Sequence, residues 1–440
     1  MTDIKTMDNM GDITGKRVLI RVDYNVPMEN GEITDMTRID ATIKTIEEVI
    51  AKGGKPVLMS HMGRPKGKKD PKLSLEPIAK ALSERMNKKV TLVSDYFVNE
   101  SITEASRKTT KEMQQGEIVL LENLRYHDEE EANDEAFASS LASLGDIYIN
   151  DAFATAHRAH ASTYTLATMM PAYAGRLMEE ETKALSIVLE KPEKPVMGIV
   201  AGFKVDSKTD LLNNLVEKLD VLVLGGAMAN TFLAATGIDM GASFVEKEMF
   251  ETARTIMAKA KTCGCRIILP VDVNLGVADI NVMKESNEEV RSLGIVSIKD
   301  IPANASAYDI GPASIANIQE ELKNVKTVIY NGPTGAFEFP PFDKSTNAIA
   351  ETLANHVTKG DLICVAGGGD TVAALEKFGL KEKMTYVSTA GGAFLEWMEG
   401  KELPGVEALR HKEKSYFTNP MKNVTAFIKS STIGHLITRD

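Results

Sequence analysis

Gly367-Gly368-Gly369-Asp370-Thr371 lies between an apolar run at 361–366 that predicts a buried strand and residues 372–378, which predict the start of a helix. Three glycines at such a turn let backbone N–H groups approach an anion, and the helix N-terminus favours negative charge. Asp370 and Thr371 add a carboxylate and a hydroxyl, which suit a magnesium–phosphate group. The alternative is a plain glycine turn in which Asp370 is the helix N-cap, and the stretch alone does not separate the two.

The bulk composition indicates a globular protein that carries a net negative charge. The chain has 440 residues, enough for two domains, and its formal net charge is −11. Such a charge disfavours broad attraction to nucleic acid or to an anionic membrane. An anionic substrate must therefore be held by a local cluster of basic residues.

The cysteines and the N-terminus favour a cytoplasmic location. Cys263, Cys265 and Cys364 form no disulfide framework, which indicates a reducing compartment. The close pair has no neighbouring histidine or second cysteine pair, which disfavours a zinc site. Residues 1–15 lack the apolar segment of a signal peptide, and no apolar run approaches the ~20 residues of a membrane span.

Short apolar runs alternate with helical patterns along the whole chain, which predicts parallel sheets covered by helices. The predicted strands are 17–22, 56–60, 90–93, 118–121, 147–150, 196–200, 221–224, 266–269, 328–330, 361–366 and 386–389. Residues 37–51 have apolar side chains at helical spacing. A charged helical segment at 179–190 ends at Lys191-Pro192-Glu193-Lys194-Pro195, the best candidate for a domain boundary.

Polar clusters follow the predicted strands, and in open parallel sheets ligands bind at the carboxyl ends of strands. In the first half these residues are Arg21, Asp23, Asn25, Arg38, His61, Arg64, Arg125 and Arg158. The planar guanidinium suits bidentate binding of phosphate or carboxylate, so a shared anion site is favoured for most of the arginines. For any single arginine the alternative is a surface salt bridge.

The second half has glycine turns at 225–226, 332–335, 367–369 and 391–392, which could line one wall with backbone donors. It also contains Asn331 and Glu338 after a strand. Lys204 and Lys208 are four residues apart, so in a helical turn they would share a face and repel unless an anion lay between them. Phosphate binding is favoured over a solvated lysine pair.

Several enzyme classes are disfavoured by pattern. The chain has no Gly-x-x-x-x-Gly-Lys-Ser/Thr, no Gly-x-Gly-x-x-Gly opening a helix and no Gly-x-Ser-x-Gly nucleophile turn. The sequence shows no pair of Asp or Glu residues that would suggest glycoside hydrolysis. What remains is one domain for a small polyanion and another for a magnesium polyphosphate, an arrangement that suggests phosphoryl transfer across a closing cleft.

At this point the motifs are recognisable as a set, in order from about residue 15 to 410. They are Arg21-Val-Asp-Tyr-Asn-Val-Pro27, Ser60-His-Met-Gly-Arg-Pro-Lys66, Glu122-Asn-Leu-Arg125, Asp151-Ala-Phe-Ala-Thr-Ala-His-Arg-Ala-His160, Asn331-Gly-Pro-Thr-Gly-Ala-Phe-Glu338, Gly367-Gly-Gly-Asp-Thr371, Ser388-Thr-Ala-Gly-Gly-Ala393 and Leu403-Pro-Gly-Val406. This set closely resembles the motifs of the phosphoglycerate kinase family.

The resemblance implies an α/β fold with two doubly wound domains, each around a six-stranded parallel sheet with helices on both faces, joined by a hinge helix. The implied divisions are a phosphoglycerate-binding domain at 1–180, a connecting helix and hinge at 181–195, a Mg-nucleotide-binding domain at 196–405 and a tail at 406–440. The family ends soon after the Leu403 motif, and the tail is expected to pack back on the first domain.

The activity implied is the reversible reaction of 3-phosphoglycerate with Mg-ATP to give 1,3-bisphosphoglycerate and ADP. The resemblance implies these substrates, Mg²⁺ as cofactor and closure of the two domains by hinge bending. A monomer is expected, with no nucleic-acid or membrane partner. Two alternatives stay open, a related acyl-phosphate-forming kinase and a non-catalytic relative, although the intact Arg38, Lys204, Lys208 and Asp370 argue against the second.

The family's site residues carry over position by position. The implied phosphoglycerate site comprises Asp23, Tyr24, Asn25, Arg38, His61, Met62, Gly63, Arg64, Arg125 and Arg158. The implied catalytic groups are Arg38, Lys204, Gly391 and Gly392. The implied nucleotide site comprises Gly202, Lys204, Lys208, Gly225, Gly226, Asn331, Pro333, Glu338, Gly368, Gly369, Asp370 and Thr371, with Asp370 as the metal ligand.

Three positions near the implied nucleotide site depart from the family pattern. Phe203 stands where the family has alanine, and Ala227 and Ala307 stand where glycine is usual. None of these changes removes a charged group, so they bear on nucleotide affinity and nucleotide choice.

Overall fold

The computed structural model describes residues 4–277 and 291–410 and contains two separate parallel sheets. The N-terminal sheet consists of β1 (Arg17–Arg21), β2 (Lys55–Met59), β3 (Val90–Val93), β4 (Ile118–Leu121), β5 (Ile147–Asn150) and β6 (Ala172–Ala174). Its strand order is β6-β5-β1-β2-β4-β3, with all pairs parallel. The chain changes side between β1 and β5, so a crevice opens at the carboxyl ends of these strands.

The C-terminal sheet is also six-stranded and parallel. Its strands are β7 (Val196–Ala201), β8 (Val221–Gly225), β9 (Arg266–Ile268), β10 (Thr327–Asn331), β11 (Ile363–Gly367) and β12 (Tyr386–Ser388). Their order is β9-β8-β7-β10-β11-β12, which places the topological switch point between β7 and β10. The predicted α/β fold with two six-stranded parallel sheets is confirmed.

Helices cover both sheets. The longer ones are Thr37–Ala51, Glu76–Met86, Glu104–Glu112, Glu135–Ala142, Arg176–Leu189, Thr209–Leu215, Gly226–Ala235, Phe250–Cys263, Pro312–Leu322, Lys344–Lys359, Gly369–Lys377 and Gly391–Met398. Short α-helical turns lie at Asp128–Glu131, Leu166–Met169 and Pro404–Glu407, and a π-helical turn lies at Ala161–Thr165. Short 3₁₀ turns lie at Met7–Asn9, Pro71–Leu73, Leu124–Tyr126, Phe153–Thr155, Asp206–Lys208, Lys247–Met249 and Lys381–Lys383.

The strands are apolar without interruption because both of their faces are buried. In β1, Val18 and Ile20 join the core cluster on one face of the sheet, whereas Leu19 joins the cluster on the other. The same holds in β7, where Met197 and Val200 belong to different clusters. Helices on both faces remove each strand from water, which is typical of doubly wound sheets.

The helix Arg176–Leu189, called the connecting helix below, links the two sheets. It begins at Arg176, earlier than the predicted segment at 179–190, because the carboxylate of Asp151 accepts hydrogen bonds from the Leu177 and Met178 N–H groups. Arg176 also pairs with Glu48 of a neighbouring helix, at 2.7 Å. The N-terminal end of the connecting helix is thus fixed to the first sheet, and the exact division into domains stays a prediction.

The chain returns to the N-terminal half after the second sheet is complete. Trp397 is buried against Phe153, with 5.9 Å between ring centroids. The Gly405 N–H donates to the Ala156 carbonyl at 2.8 Å, and the Lys5 N–H donates to the Leu409 carbonyl at 3.0 Å. The predicted packing of the tail beyond these contacts, at 411–440, lies outside the described residues.

Several short strands were not predicted. Strand β6 has only three residues, and a small antiparallel sheet is formed by Asp272–Gly276, Gly294–Ser297 and Ser306–Ile310. Two antiparallel pairs of two-residue strands are Met28–Glu29 with Glu32–Ile33 and Phe97–Val98 with Ser101–Ile102. None of these segments has an apolar run long enough to be recognised as a strand. Within 4–277 and 291–410, no helix combines the length and apolar character needed to cross a membrane.

Glu181 of the connecting helix is buried beside β12, and this burial predicts a pH-dependent stability. Burial raises the pKa of Glu181 from 4.5 to about 7, although the Ser388 and Tyr386 side chains oppose the shift. Between these two pH values the folded protein binds the extra proton, so stability falls as the pH rises. We expect Glu181→Gln, which mimics the protonated acid, to raise the melting temperature at pH 8 by about 3 °C.

Thermal unfolding followed by circular dichroism at pH 8 and pH 5 tests this expectation. The advantage of Glu181→Gln should shrink at pH 5. The matched control is Glu180→Gln, because Glu180 is exposed and forms only a surface pair with Lys44. A Glu181→Gln variant no more stable than the parent at pH 8 would contradict the expectation.

Candidate active site

Arg21, at the carboxyl end of β1, is a buried cation with fixed neighbours. Its side chain is 1% exposed. The guanidinium donates to Ser162 Oγ at 2.9 Å and to His61 Nδ1 at 3.3 Å. Ser162 in turn donates through its N–H and its hydroxyl to the buried carboxylate of Glu130. Because an arginine can only donate, His61 Nδ1 accepts, and the neutral imidazole carries its proton on Nε2.

Three guanidinium groups and two neutral histidines converge in this pocket. Burial lowers the pKa of His61 and His160, and the nearby charges of Arg21, Arg125 and Arg158 lower both further. The pKa of His160 falls to about 3, so this ring is uncharged at neutral pH. Burial also lowers the pKa of Arg125, and the charges of Arg158 and Arg21 lower it further, which shows that the guanidinium groups repel one another. A bound polyanion relieves that repulsion. The resulting group of five side chains is called the basic pocket below.

The loop after β2 is anchored to the basic pocket. Arg125 donates to the Gly63 carbonyl at 2.8 Å, and the Gly63 N–H donates to Asn25 Oδ1 at 2.9 Å. The Met62 N–H donates to Asn123 Oδ1 at 3.1 Å, and the Asn123 amide donates back to the Met62 carbonyl at 2.7 Å. The predicted residues Asn25, Gly63 and Arg125 are thus brought together.

Arg38, in the first turn of Thr37–Ala51, lies at the edge of the basic pocket that faces the second half. It donates to Asp23 Oδ2 at 2.6 Å and to the Asn25 carbonyl at 3.1 Å. Arg38 and Asp23 line a small crevice together with Thr389 and Ala390, which follow β12. Arg38 is therefore near both halves of the chain, and its side chain stays 35% exposed.

The other predicted substrate residues occupy different environments. The Tyr24 and Met62 side chains are buried in the core of the N-terminal half, and the Tyr24 hydroxyl bonds to Thr42. Their side chains are therefore part of the core. Arg158 is half-buried and donates to His157, whereas Arg64 is exposed.

A second site lies at the switch point of the C-terminal sheet, at the ends of β7, β10 and β11. It is a cavity of about 350 Å³. The predicted residues that line it are Gly202, Lys204, Lys208, Asn331, Gly368, Gly369, Asp370 and Thr371. Phe203 also lines this cavity, which we call the phosphate cavity.

The turns around the phosphate cavity require glycine. Gly332 has φ +109°, and a Cβ there would lie 2.0 Å from the Ala201 carbonyl oxygen. The Gly332 N–H donates to Thr371 Oγ1 at 2.7 Å, so this hydroxyl joins the two turns. The helix after β11 has Gly368 as its N-cap, and the N-cap alternative for Asp370 is wrong. Asp370 is in the first helical turn, with its carboxylate exposed.

Both lysines line the phosphate cavity, but not from one helical face as predicted. Lys208 ends the 3₁₀ turn Asp206–Lys208, and Lys204 precedes that turn. The Lys208 ammonium donates to the Ala201 carbonyl at 2.6 Å and to Asn331 Oδ1 at 2.7 Å, whereas Lys204 is exposed. Burial lowers the pKa of Lys208 to about 8. The two lysines therefore differ in burial, and Lys208 alone is held by fixed acceptors.

The remaining predicted nucleotide residues lie around the phosphate cavity, outside its lining. Gly226 backs the cavity wall, since a Cβ there would lie 2.7 Å from the Gly202 carbonyl oxygen. Gly225 packs against the segment after β10, and Pro333 is half-buried in that segment. Glu338 is exposed farther along the same segment.

Gly391 and Gly392 open the last long helix next to the N-terminal half. Gly391 has φ +37°, a region that favours glycine. A Cβ on Gly392 would lie 3.4 Å from His157 Nε2. The N-terminal amides of this helix are therefore beside the residues that flank the basic pocket.

A cationic pocket on one doubly wound half and a glycine-lined cavity at the switch point of the other define a two-domain kinase for a small anionic substrate. The model of the family described as phosphoglycerate kinase matches residues 7–401. A curated phosphoglycerate kinase from Methylorubrum extorquens is 52% identical over 93% of this chain and 99% of its own length. Another, from Xanthobacter flavus, is 50% identical over 93% of this chain and its full length.

Solved structures agree with this assignment. The structure of phosphoglycerate kinase from Coxiella burnetii superposes with a TM-score of 0.83 at 39% identity, covering 92% of this chain and 98% of that one. The chain belongs to the phosphoglycerate kinase family. Membership identifies it as a transferase with ATP or ADP as a substrate, and confirms the family recognised from the motifs.

The lowered pKa of Lys208 predicts a pH dependence for nucleotide binding. Bound phosphate stabilises the charged ammonium, so binding above pH 8 requires uptake of a proton. We expect the affinity for Mg-ADP to fall by up to about tenfold per pH unit above that value. Calorimetric titrations at pH 7.5 and pH 9.5 measure the change.

Lys208→Met should bind Mg-ADP more weakly at pH 7.5, and its affinity for Mg-ADP should depend little on pH. Lys204→Met is the matched control, because Lys204 is exposed and should leave the dependence in place. An unchanged pH dependence in Lys208→Met would assign the proton to another group.

Proposed function

We propose that the protein catalyses reversible phosphoryl transfer between ATP and the carboxylate of 3-phosphoglycerate, giving 1,3-bisphosphoglycerate and ADP. The observation that carries the proposal is the contact of Arg21 with His61 and of Arg125 with the Gly63 carbonyl two residues further on. Arg158 is close enough to lower the pKa of His61 and of His160 as well. A small polyanion is the ligand that such a pocket stabilises most. The family assignment supplies the identity of that anion.

In this proposal the phosphate of 3-phosphoglycerate binds in the basic pocket, where Arg125 and Arg158 supply charge-assisted hydrogen bonds. The exposed Arg64, on the loop after β2, adds a further one from outside the pocket. His61 is neutral and donates from Nε2, because Arg21 occupies Nδ1. Asp23 and Asn25 orient the remaining polar groups of the substrate. The guanidinium of Arg38 then lies beside the substrate carboxylate, at the edge that faces the second half.

The nucleotide phosphates bind in the phosphate cavity, where Lys208, the glycine turns and the N-terminus of Gly369–Lys377 favour negative charge. In 4–277 and 291–410 no group of three or more metal-ligating side chains is found. A single exposed carboxylate, that of Asp370, is enough for Mg²⁺, because proteins commonly hold this ion through one carboxylate plus substrate phosphates. Bound there with the nucleotide, Mg²⁺ would neutralise phosphate charge.

The chemistry requires positioning and charge stabilisation and no general base. The substrate carboxylate is already ionised, so one of its oxygens attacks the γ-phosphorus as the bond to the ADP oxygen breaks. Arg38, Lys204 and the amides of Gly391 and Gly392 stabilise the charge on the transferring group. Closure of the two halves about the connecting helix brings the sites together and excludes water. Since one chain supplies both sites, a monomer suffices.

Arg38→Ala tests the proposed role of Arg38 in stabilising the transferring phosphoryl group. Because Arg38 would stabilise the transferring group, we expect turnover to fall by about 100-fold or more without loss of the fold. The measurement is a coupled assay with Mg-ATP and 3-phosphoglycerate, in which a dehydrogenase consumes the acyl phosphate and NADH. Arg85→Ala is the matched control, because Arg85 forms an exposed pair with Asp40. Parent-like turnover in Arg38→Ala would remove Arg38 from the mechanism.

Asp370→Ala tests the assigned magnesium ligand. We expect the affinity for Mg-ADP to fall at least about tenfold, or 1.4 kcal/mol, while the affinity for 3-phosphoglycerate stays the same. Calorimetric titration of both ligands shows which one is affected. Asp361→Ala is the control, since this exposed carboxylate precedes β11 and pairs with His356. The opposite pattern would place Asp370 in the other half-site.

A further inference from the structure

Phe203 and Phe244 form a stacked aromatic pair that remains open to solvent. Their ring centroids are 4.2 Å apart and their planes are inclined by 21°. Phe203 is 50% exposed and Phe244 is 38% exposed. The two rings therefore shield one face of each other while leaving a broad apolar surface in water. No part of the proposed phosphoryl transfer uses this surface.

The pair lies at the rim of the phosphate cavity. Phe203 lines the cavity between Gly202 and Lys204. The loop of Phe244 contacts the small antiparallel sheet, because Ser243 Oγ accepts from the Ala307 N–H at 2.9 Å. The aromatic surface is thus continuous with the phosphate cavity on one side and with the strand Ser306–Ile310 on the other.

Both rings are held on fixed loops. Glu246, two residues after Phe244, is 4% exposed. Its carboxylate accepts a hydrogen bond from the Val205 N–H, two residues after Phe203. Its own N–H donates to Thr231 Oγ1 at 3.1 Å. One buried carboxylate therefore ties both loops together, and the stack is preorganised without a ligand.

We propose that the exposed face of Phe203, backed by Phe244, is the stacking platform for the base of the nucleotide whose phosphates occupy the adjoining cavity. This inference rests on the proposed function. A nucleotide combines a charged tail with a flat aromatic group, and the chain offers a phosphate cavity directly beside a flat apolar surface. Stacking of a base on an aromatic side chain is favourable for any base, because each has a π-face.

The platform has a consequence for nucleotide choice. Phenyl rings offer no hydrogen bonds to the edge of a base, so they do not distinguish the amino group of adenine from the carbonyl group of guanine. The Asn331 amide beside the cavity is already engaged by Lys208 and by the Gly367 carbonyl. The platform therefore strengthens binding of adenine and guanine nucleotides alike.

Calorimetry with three probes tests the platform: Mg-ADP, Mg-GDP and inorganic tripolyphosphate. We expect Phe203→Ala to lower the affinity for both nucleotides by a similar factor, about five- to 100-fold. Tripolyphosphate has no base, so its affinity should stay at the parent value, as should the KM for 3-phosphoglycerate. Phe203→Tyr keeps a stacking ring and should restore nucleotide binding. Val98→Ala, which removes an exposed apolar side chain from the other half, is the control.

The outcomes separate this inference from the proposed function. If the parent protein binds tripolyphosphate and transfers phosphate, but Phe203→Ala binds ADP as tightly as the parent or more tightly, the stacking platform is wrong and the proposed function stands. A loss of ADP affinity with no loss of GDP affinity overturns the claim that both bases are served. A folded parent with no transfer activity overturns the proposed function itself.

Discussion

The N-terminal half depends on how the buried charge of Arg21 is stabilised. A guanidinium removed from water at the end of β1 is costly unless its donors are satisfied. Ser162 accepts one of them and passes the interaction to the buried Glu130, while His61 accepts another and is thereby fixed in one tautomer. This chain of contacts orients the wall of the basic pocket before a substrate arrives. Burial and the same positive charge lower the pKa of His61, so the ring serves as a donor whose charge does not vary near neutral pH.

The two proposed half-sites would hold phosphate by different means. The N-terminal half uses full charges on long side chains, whose mutual repulsion favours anion binding. In the proposed function the C-terminal half relies on the N-terminus of the helix Gly369–Lys377 and on close approach of the backbone at turns such as Gly332, where a side chain would collide with the Ala201 carbonyl. Positively charged side chains suit a small anionic substrate that is contacted from several directions. Glycine turns suit a longer polyphosphate that lies along one side of a cavity. Both solutions arise at the carboxyl ends of parallel strands, so the sheets determine where the chemistry is located.

Much of this arrangement was predictable from local sequence. The strand Val90–Val93 and the helix Thr37–Ala51 match their predicted bounds because apolar spacing is a local property. The three-residue strand Ala172–Ala174 was missed because so short a segment has no period. Burial is a property of the whole fold, so local sequence did not predict that Glu130 would support Arg21. For the same reason it did not predict that Lys208 would be half-buried while Lys204 is exposed. Phe203 was noted as a departure, but its partner Phe244 becomes visible only when two distant loops meet.

Trp397 is the only tryptophan of the chain. It belongs to a helix that begins at the proposed reaction centre, yet its ring packs against Phe153 of the first half. Its fluorescence therefore originates from one place, the seam where the two halves meet. Trp397 therefore provides an intrinsic fluorescence probe of the proposed closure, which can be followed in stopped-flow experiments on the unlabelled, unmodified chain.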